Sequence, residues 1–236
     1  MQGFVRQPNI FIIMKLRKLH DWNLSYKEAI EIQRRLASQL RFTAMKKKPR
    51  IIAGLDCAFS KDGKRIFAAA VVIDTLQFSI IETTMASRKV DFPYIPGLLS
   101  FREAPACIDA IEKLKTTPDV FIIDGQGIAH PRRLGIASHI GLLIDKPTIG
   151  CAKSRLIGTF EEPGNKKGSH NPLMDSGEEI GAVLRTRTDV KPVYVSVGHK
   201  CTLNDAVSVV LQCTTKYRLP EPSRLAHQLV GRVKLG

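Results

Sequence analysis

Three strand-like segments follow one another in the first half of the chain, joined only by short turns. Ile51–Asp56, Arg65–Asp74 and Ser79–Thr84 are rich in β-branched and small apolar residues. Turns as short as Lys61–Lys64 and Thr75–Gln77 can connect antiparallel neighbours, whereas a parallel pair needs a long crossover. The pattern therefore predicts an antiparallel meander of three strands.

After the meander, the sequence alternates between helix and strand patterns. We predict helices at Glu103–Leu114 and Arg132–Ile144, the second with Pro131 in its first turn, around a buried strand at Asp119–Asp124. The other predicted elements are a helix started by the capping box of Ser25 and Glu28, strands at Pro147–Gly150, Glu178–Thr186 and Val193–Gly198, and helices at Thr202–Gln212 and Pro222–Val233. Glu161–Ser176 is rich in turn formers and is predicted to be a surface loop.

This order of elements predicts a single α/β domain, a mixed β-sheet flanked by helices, as in ribonuclease-H-like folds. We assign residues 15–236 to that catalytic domain. We interpret residues 1–14 as an N-terminal extension that is disordered or non-native, with Met14 as a start site.

The chain is strongly basic, with 36 Lys and Arg against 22 Asp and Glu and a net charge of +14. Through Arg50 there are 12 basic and 3 acidic residues, so the positive charge is concentrated at the N-terminal end. Such a segment is either a solvated basic face or a contact for phosphates. A pI of about 9.8 favours nucleic acid.

The apolar runs and the cysteines indicate a cytoplasmic protein. The runs are too short to span a bilayer, and no cleavage site follows the apolar segment near the N-terminus. The five cysteines include no C-x-x-C pair, so a zinc ribbon is not indicated, and apolar neighbours favour buried free thiols.

Three acids stand where apolar elements meet turns. Asp56 and Asp124 end apolar strands, and Glu103 begins a helix. Each has an ordinary structural interpretation, as a turn residue or as a helix-start glutamate that favours the helix dipole. Together, three hard oxygen ligands in a basic chain predict a Mg²⁺ site, which Mn²⁺ would also fit, acting on nucleic acid.

Four other residues carry a functional and a structural interpretation at once. His227 lies outside the apolar stripe of its helix, so it either points into a cleft or has a structural role. His130 can cap the helix that follows it. Tyr94, held between Pro93 and Pro96, is either a wedge for a base stack or a buried turn residue. Lys153 is either a phosphate contact or an exposed lysine.

These motifs are similar to those of the endonuclease V family, whose members act on deaminated adenine. The similarity runs in order from about Ser25 to the C-terminus. The matching segments are Gly54–Asp56, Pro93–Gly97, Phe101–Glu103, Asp124–Gly125, His130–His139, Ile149–Lys153 and Pro220–His227. Gln126 stands where the family often has histidine, and we assign that position no essential role.

The resemblance implies a ribonuclease-H-like endonuclease with a role for each matching residue. Asp56, Glu103 and Asp124 would be metal-binding catalytic acids, and His227 would belong to the same site. The other implied sets are a DNA wedge of Tyr94, Pro93, Ile95 and Pro96, a lesion pocket of Gly97, Leu99, Gly125 and Ile136, and phosphate contacts by Lys153 and His130.

The expected activity is Mg²⁺-dependent hydrolysis of the second phosphodiester 3′ to deoxyinosine in DNA, leaving a 3′-hydroxyl and a 5′-phosphate. Two alternatives stay open: an endoribonuclease for inosine in single-stranded RNA, and a non-catalytic nucleic-acid-binding protein. No obligate protein partner and no membrane association are expected.

Overall fold

Eight strands form one mixed sheet in the computed structural model, which describes residues 14–235. The strands are β1 (Ile51–Phe59), β2 (Arg65–Asp74), β3 (Ser79–Lys89), β4 (Val120–Ile123), β5 (Thr148–Ala152), β6 (His170–Asp175), β7 (Glu178–Leu184) and β8 (Val193–His199). The helices are α1 (Tyr26–Ala37), α2 (Leu99–Glu112), α3 (Ile136–Ile144), α4 (Leu203–Gln212) and α5 (Glu221–Leu235).

The strands lie in the order β3-β2-β1-β4-β5-β8-β7-β6. The first three pair antiparallel, which confirms the predicted meander. Strands β1, β4 and β5 are parallel at the centre, where helices cover both faces. A strand buried on both faces is apolar along its whole length, as Val120–Ile123 is.

Helices cover both faces of the sheet, and an apolar core lies between the sheet and the helices on each face. On one face α2 and α3 pack over residues such as Leu55 and Phe121, and Ile140 of α3 lies in the same core. On the other face α4 and α5 cover residues such as Ile122 and Val195. Helix α1 lies outside this sandwich, where Leu36 packs against Leu134 and Leu142.

Helices α2 and α3 begin at other residues than the sequence predicts, and strands β1 and β3 run further than predicted, β3 as far as Lys89. Helix α2 begins at Leu99, because the chain enters it from a turn in which Leu98 N–H donates to Ile95 O. Glu103 therefore lies inside the helix, so the prediction that it begins the helix is wrong. Strand β1 continues to Phe59, so Asp56 lies within the strand and does not end it.

Helix α3 begins at Ile136 rather than at Arg132. Arg133 takes a left-handed backbone conformation, with φ of 55°, and donates its N–H to His130 O, so residues 131–135 form turns. Pro131 is compatible with a first helical turn, but the side chain of Arg133 instead pairs with Asp175 and Glu178 on the neighbouring hairpin. Tertiary ion pairs thus override the local helix signal.

The predicted loop Glu161–Ser176 contains strand β6. β6 and β7 form a hairpin whose two turn residues, Ser176 and Gly177, both have positive φ, at 53° and 81°. This is the backbone of a tight hairpin turn, whose twist matches that of the paired strands. The prediction of a loop is therefore wrong for His170–Asp175.

Three further predictions bear on the chain as a whole. The five cysteines are all free thiols, as predicted. Within residues 14–235, no helix is long and apolar enough to cross a membrane. The interpretation of the N-terminal extension falls on residues 1–13, outside the described residues, and Met14 is buried against the core under α2 and α3.

Candidate active site

A cleft of about 480 Å³ opens above the middle of β1 and the end of β4. Asp56 of β1 and Asp124, which directly follows β4, lie on its walls. Because β1 and β4 are parallel neighbours, with Leu55 beside Ile123, the residues that follow them meet at the same level of the sheet. The cleft therefore lies at the carboxyl end of a central strand, where α/β sheets bind ligands.

His227 of α5 reaches Asp56 because the helix packs unusually close to β1. Its Nδ1 lies 2.6 Å from Asp56 Oδ2. Gly54 makes this approach possible, since a Cβ there would lie 2.2 Å from the carbonyl carbon of Pro222 in the first turn of α5. Gly54 and Asp56 are two positions apart in the strand, so they face the same helix.

Lys153, one residue after β5, lies beside Asp124 and close to His227. Its Nζ donates to Asp124 Oδ2 and lies 3.5 Å from His227 Nδ1. Burial, and then the Asp124 carboxylate, raise the pKa of Asp56 above its usual value, while Lys153 opposes the shift. A nearby cation therefore favours the ionised form of Asp56.

The arrangement fits a divalent metal. Ligand atoms of Asp56, Asp124 and His227 all lie within 4.8 Å of one another. Carboxylate oxygens are the donors that Mg²⁺ and Mn²⁺ prefer, and an imidazole nitrogen is compatible with Mn²⁺. The amine of Lys153 supplies a positive charge beside Asp124.

Glu103 lies on the wall of the same cleft but outside this group of three. Its side chain is buried, and its carboxylate is bonded by the Cys57 thiol. Burial raises the pKa of Glu103 to about 7, and Asp56 and Asp124 add to the shift. Its assignment as a third metal ligand stays a prediction, which requires its carboxylate to turn from Cys57 toward the other two acids.

Tyr94 lies at the tip of an exposed turn on the rim of the cleft. We call Pro93–Gly97 the wedge turn; its flanking residues Phe92 and Leu98 are buried in a small apolar cluster with Phe101. Tyr94 itself is 69% exposed, which excludes the alternative of a buried turn residue in this conformation. A stiff turn with an exposed aromatic tip is the geometry that a wedge requires.

The four residues of the predicted pocket, Gly97, Leu99, Gly125 and Ile136, all line this cleft. Ser100 and Leu134 also line the cleft, although the sequence predicts no role for either residue. Gln126 also lines the cleft and donates from its side chain to Ser154 O at 3.0 Å. The roles of all these residues in binding a base stay predictions.

His130 is buried, and both of its ring nitrogens are engaged within the protein. Nε2 lies 3.0 Å from Gly97 O, and Nδ1 accepts from Arg132 N–H at 3.1 Å. Burial lowers the pKa of His130 to about 4, so the ring is neutral at physiological pH. In this conformation neither nitrogen is free for the phosphate contact that the sequence predicts, whereas Lys153 and Arg155 line the cleft.

The basic linker Lys46–Arg50 lies away from the cleft. Lys47 pairs with Asp119, which precedes β4, whereas Asp124 follows that strand. The positive charge of this linker therefore does not surround the cluster of acids.

Comparisons with known proteins identify the family to which the chain is similar. The sequence model of the family described as Endonuclease V matches residues 34–228. Endonuclease V of Nostoc punctiforme is 52% identical over 219 residues, which cover 92% of this chain and 99% of that protein.

Solved structures of Endonuclease V proteins have the same fold as this chain. The crystal structure of Endonuclease V from Streptomyces avermitilis superposes with a TM-score of 0.86 at 38% identity, covering 93% of this chain and 96% of that one. Endonuclease V of Ciona intestinalis, in complex with a 23mer DNA containing an inosine followed by a ribo-adenosine, superposes with a TM-score of 0.77 at 28% identity, covering 90% and 99%. The fold is ribonuclease-H-like, as the order of elements predicts.

Proposed function

Because the chain belongs to the endonuclease V family, and is therefore an endonuclease, we propose that it repairs DNA containing deoxyinosine. It would hydrolyse the second phosphodiester 3′ to the lesion and leave a 3′-hydroxyl and a 5′-phosphate. The observation that carries this proposal is the convergence of Asp56, Asp124 and His227 at the foot of a cleft with Tyr94 on its rim.

Asp56 and Asp124 would hold a Mg²⁺ or Mn²⁺ ion, with Glu103 as a further ligand. When bound, such an ion supplies positive charge to the scissile phosphate and lowers the pKa of a bound water. The buried setting of Asp56 and Glu103 supports this role, because burial raises the pKa of both and a cation reverses that shift.

The other polar groups, His227 and Lys153, would transfer protons and orient the phosphate. A carboxylate can only accept, so the contact with Asp56 places the proton of His227 on Nδ1. Nε2 then carries the lone pair and can take a proton during hydrolysis. Lys153, whose amine donates to Asp124 here, would contact a phosphate oxygen of the substrate.

The wedge turn and the pocket would select the lesion. Extruding a base costs a few kcal/mol, least when the base is mispaired, and Tyr94 would fill the gap left in the stack. Gly97, Leu99, Gly125 and Ile136 would surround the extruded hypoxanthine. A backbone donor facing O6 accepts hypoxanthine and opposes the amino group of adenine, which discriminates without a charged side chain.

The test is cleavage by carboxylate variants. Asp56→Asn and Asp124→Asn should reduce the cleavage rate by roughly a thousandfold or more, while the lesion duplex still binds. Asp109→Asn is the matched control, since Asp109 lies on α2 and pairs with Arg88 at 3.4 Å, outside the cleft. Normal cutting by both site variants would refute the metal-site assignment.

Inosine-containing RNA is the second candidate substrate. The DNA bound to the relative from Ciona intestinalis carries a ribonucleotide directly after the inosine. A contact to its 2′-hydroxyl would favour RNA. Matched oligonucleotides with one inosine, in DNA, in RNA and in DNA with a single ribonucleotide after the lesion, distinguish the two substrates by their kcat/KM.

We place the enzyme in the cytoplasm. The free thiols support this, because five unpaired cysteines are typical of a reducing compartment.

A further inference from the structure

One backbone oxygen on the rim of the cleft receives three side-chain donors. Gly97 O accepts from Gln33 Nε2 at 3.0 Å and from Arg132 Nη2 at 2.7 Å. His130 Nε2 lies 3.0 Å from the same oxygen. Because His130 Nδ1 accepts from Arg132 N–H, the ring proton of the neutral imidazole is on Nε2, which therefore donates. Three donors converge on an atom with two lone pairs.

The donors are also tied to one another and to the body of the protein. Arg132 Nε donates to Gln33 Oε1 at 2.5 Å, and Gln33 Nε2 also donates to Leu134 O at 3.0 Å. Gln33 is fully buried on α1, where an amide is tolerated only if its hydrogen bonds are made. The three side chains are thus fixed before any ligand arrives.

Gly97 is the joint at which this network meets the wedge turn. Its φ of +77° lies in the left-handed region that favours glycine, and a Cβ there would lie 2.8 Å from Arg132 Nη2. Directly after it, Leu98 N–H donates to Ile95 O at 2.9 Å and closes the turn. Fixing Gly97 O therefore fixes the backbone that carries Tyr94.

We propose that Gln33, Arg132 and His130 form a clamp on Gly97 O that holds the wedge turn rigid, so that Tyr94 can force a paired base out of the stack. The three are positioning residues: they act through the turn and not on the phosphate. This inference rests on the proposed function, because the wedge matters only if a base is extruded. It also gives His130 a role other than a phosphate contact.

Hydrogen exchange of the free protein tests the clamp without any substrate. In Gln33→Leu and Arg132→Met, the amides of the segment 94–101 should exchange about tenfold faster than in the wild type, because the lost donors no longer fix the turn. Arg34→Met is the matched control: it also removes one positive charge, but Arg34 is exposed and pairs with Glu31. Unchanged exchange in the two clamp variants would overturn the proposal.

Cleavage of a paired and an unpaired lesion tests the consequence for the wedge. For deoxyinosine in a duplex, kcat/KM of both clamp variants should fall about tenfold. For the same deoxyinosine in a single strand, where nothing must be forced apart, it should stay within about threefold of the wild type. An equal loss on both substrates would indicate a merely structural role and would overturn the wedge function of the clamp.

Arg132→Lys gives a further discrimination, because lysine keeps one donor for Gly97 O. It should recover part of the paired-lesion activity that Arg132→Met loses, and no recovery would contradict the contact to Gly97 O. A wild-type protein that cuts neither substrate would refute the proposed function. In that case the exchange measurement alone would decide whether the clamp holds the turn.

Discussion

Acidification should destabilise this protein through His139, which is buried and neutral behind the cleft wall. Its Nε2 lies 2.7 Å from His20 Nε2, and its Nδ1 lies 3.2 Å from Ser100 Oγ. His20 Nδ1 must donate to Asp21 O, so His20 Nε2 accepts from His139, and His139 Nδ1 accepts from Ser100. Every hydrogen bond is satisfied with both rings neutral.

The magnitude follows from the pKa of His139, which burial and then the neighbouring His20 lower from 6.5 to about 3. Below pH 6.5 the unfolded chain binds a proton that the folded protein does not, so stability is lost as the pH falls from 6.5 toward 3. Over the roughly 1.5 pH units between 6.5 and 5, the loss is about 2 kcal/mol of unfolding free energy.

The assay is urea unfolding at pH 7.5 and pH 5, compared between the wild type and His139→Gln. Trp22 is the only tryptophan and its ring lies 5.4 Å from that of His139, so its fluorescence reports on this site. The wild type should lose about 2 kcal/mol more than the variant between the two pH values. The pH-dependent change in unfolding free energy is compared between the wild type and the variant, so the contributions of His130, His199 and Glu103, whose pKa values are also shifted, cancel. An equal loss of unfolding free energy in the wild type and the variant would refute a buried, neutral His139.

Three further changes test the site itself. Gly54→Ala should push α5 from β1, lower the free energy of unfolding by roughly 1–3 kcal/mol and slow cleavage at least about tenfold, as urea unfolding and single-turnover rates would show. Tyr94→Ala should raise KM for a paired lesion while leaving the metal concentration for half-maximal activity unchanged, because Tyr94 lies on the rim; a shift in metal affinity would contradict this. Lys153→Met should lower both the cleavage rate and the Mg²⁺ concentration for half-maximal activity, since the amine no longer competes with the metal for Asp124; an unchanged metal titration would contradict this competition.

The main elements of the fold could be predicted from sequence because local patterns and tertiary structure agree there. The capping box at Ser25 forms as predicted, and Thr202 caps α4 near the predicted start of that helix. Predictions failed where a distant contact decides the backbone, as at Arg133, whose partners lie more than forty positions away in the β6–β7 hairpin. No local signal can reveal such partners.

Some residues of the candidate site could likewise be predicted from the sequence, and others could not. The position of Asp56 in one apolar strand and of Asp124 directly after another indicated that the two lie close together, and the resemblance favoured the functional interpretation of His227 and Lys153. Gln33 could not be predicted, because a glutamine in an amphipathic helix is usually a surface residue and nothing nearby indicates that it bonds Gly97 O.

The central claim is that the cluster of acids cuts DNA beside deoxyinosine with the help of a divalent ion. The most direct measurement is cleavage of an end-labelled duplex containing one deoxyinosine, with Mg²⁺ and with EDTA, beside an identical duplex containing adenine. The account predicts one Mg²⁺-dependent nick, at the second phosphodiester 3′ to the lesion, and no cut in the adenine duplex. Cleavage that persists in EDTA, or that ignores the lesion, would contradict it.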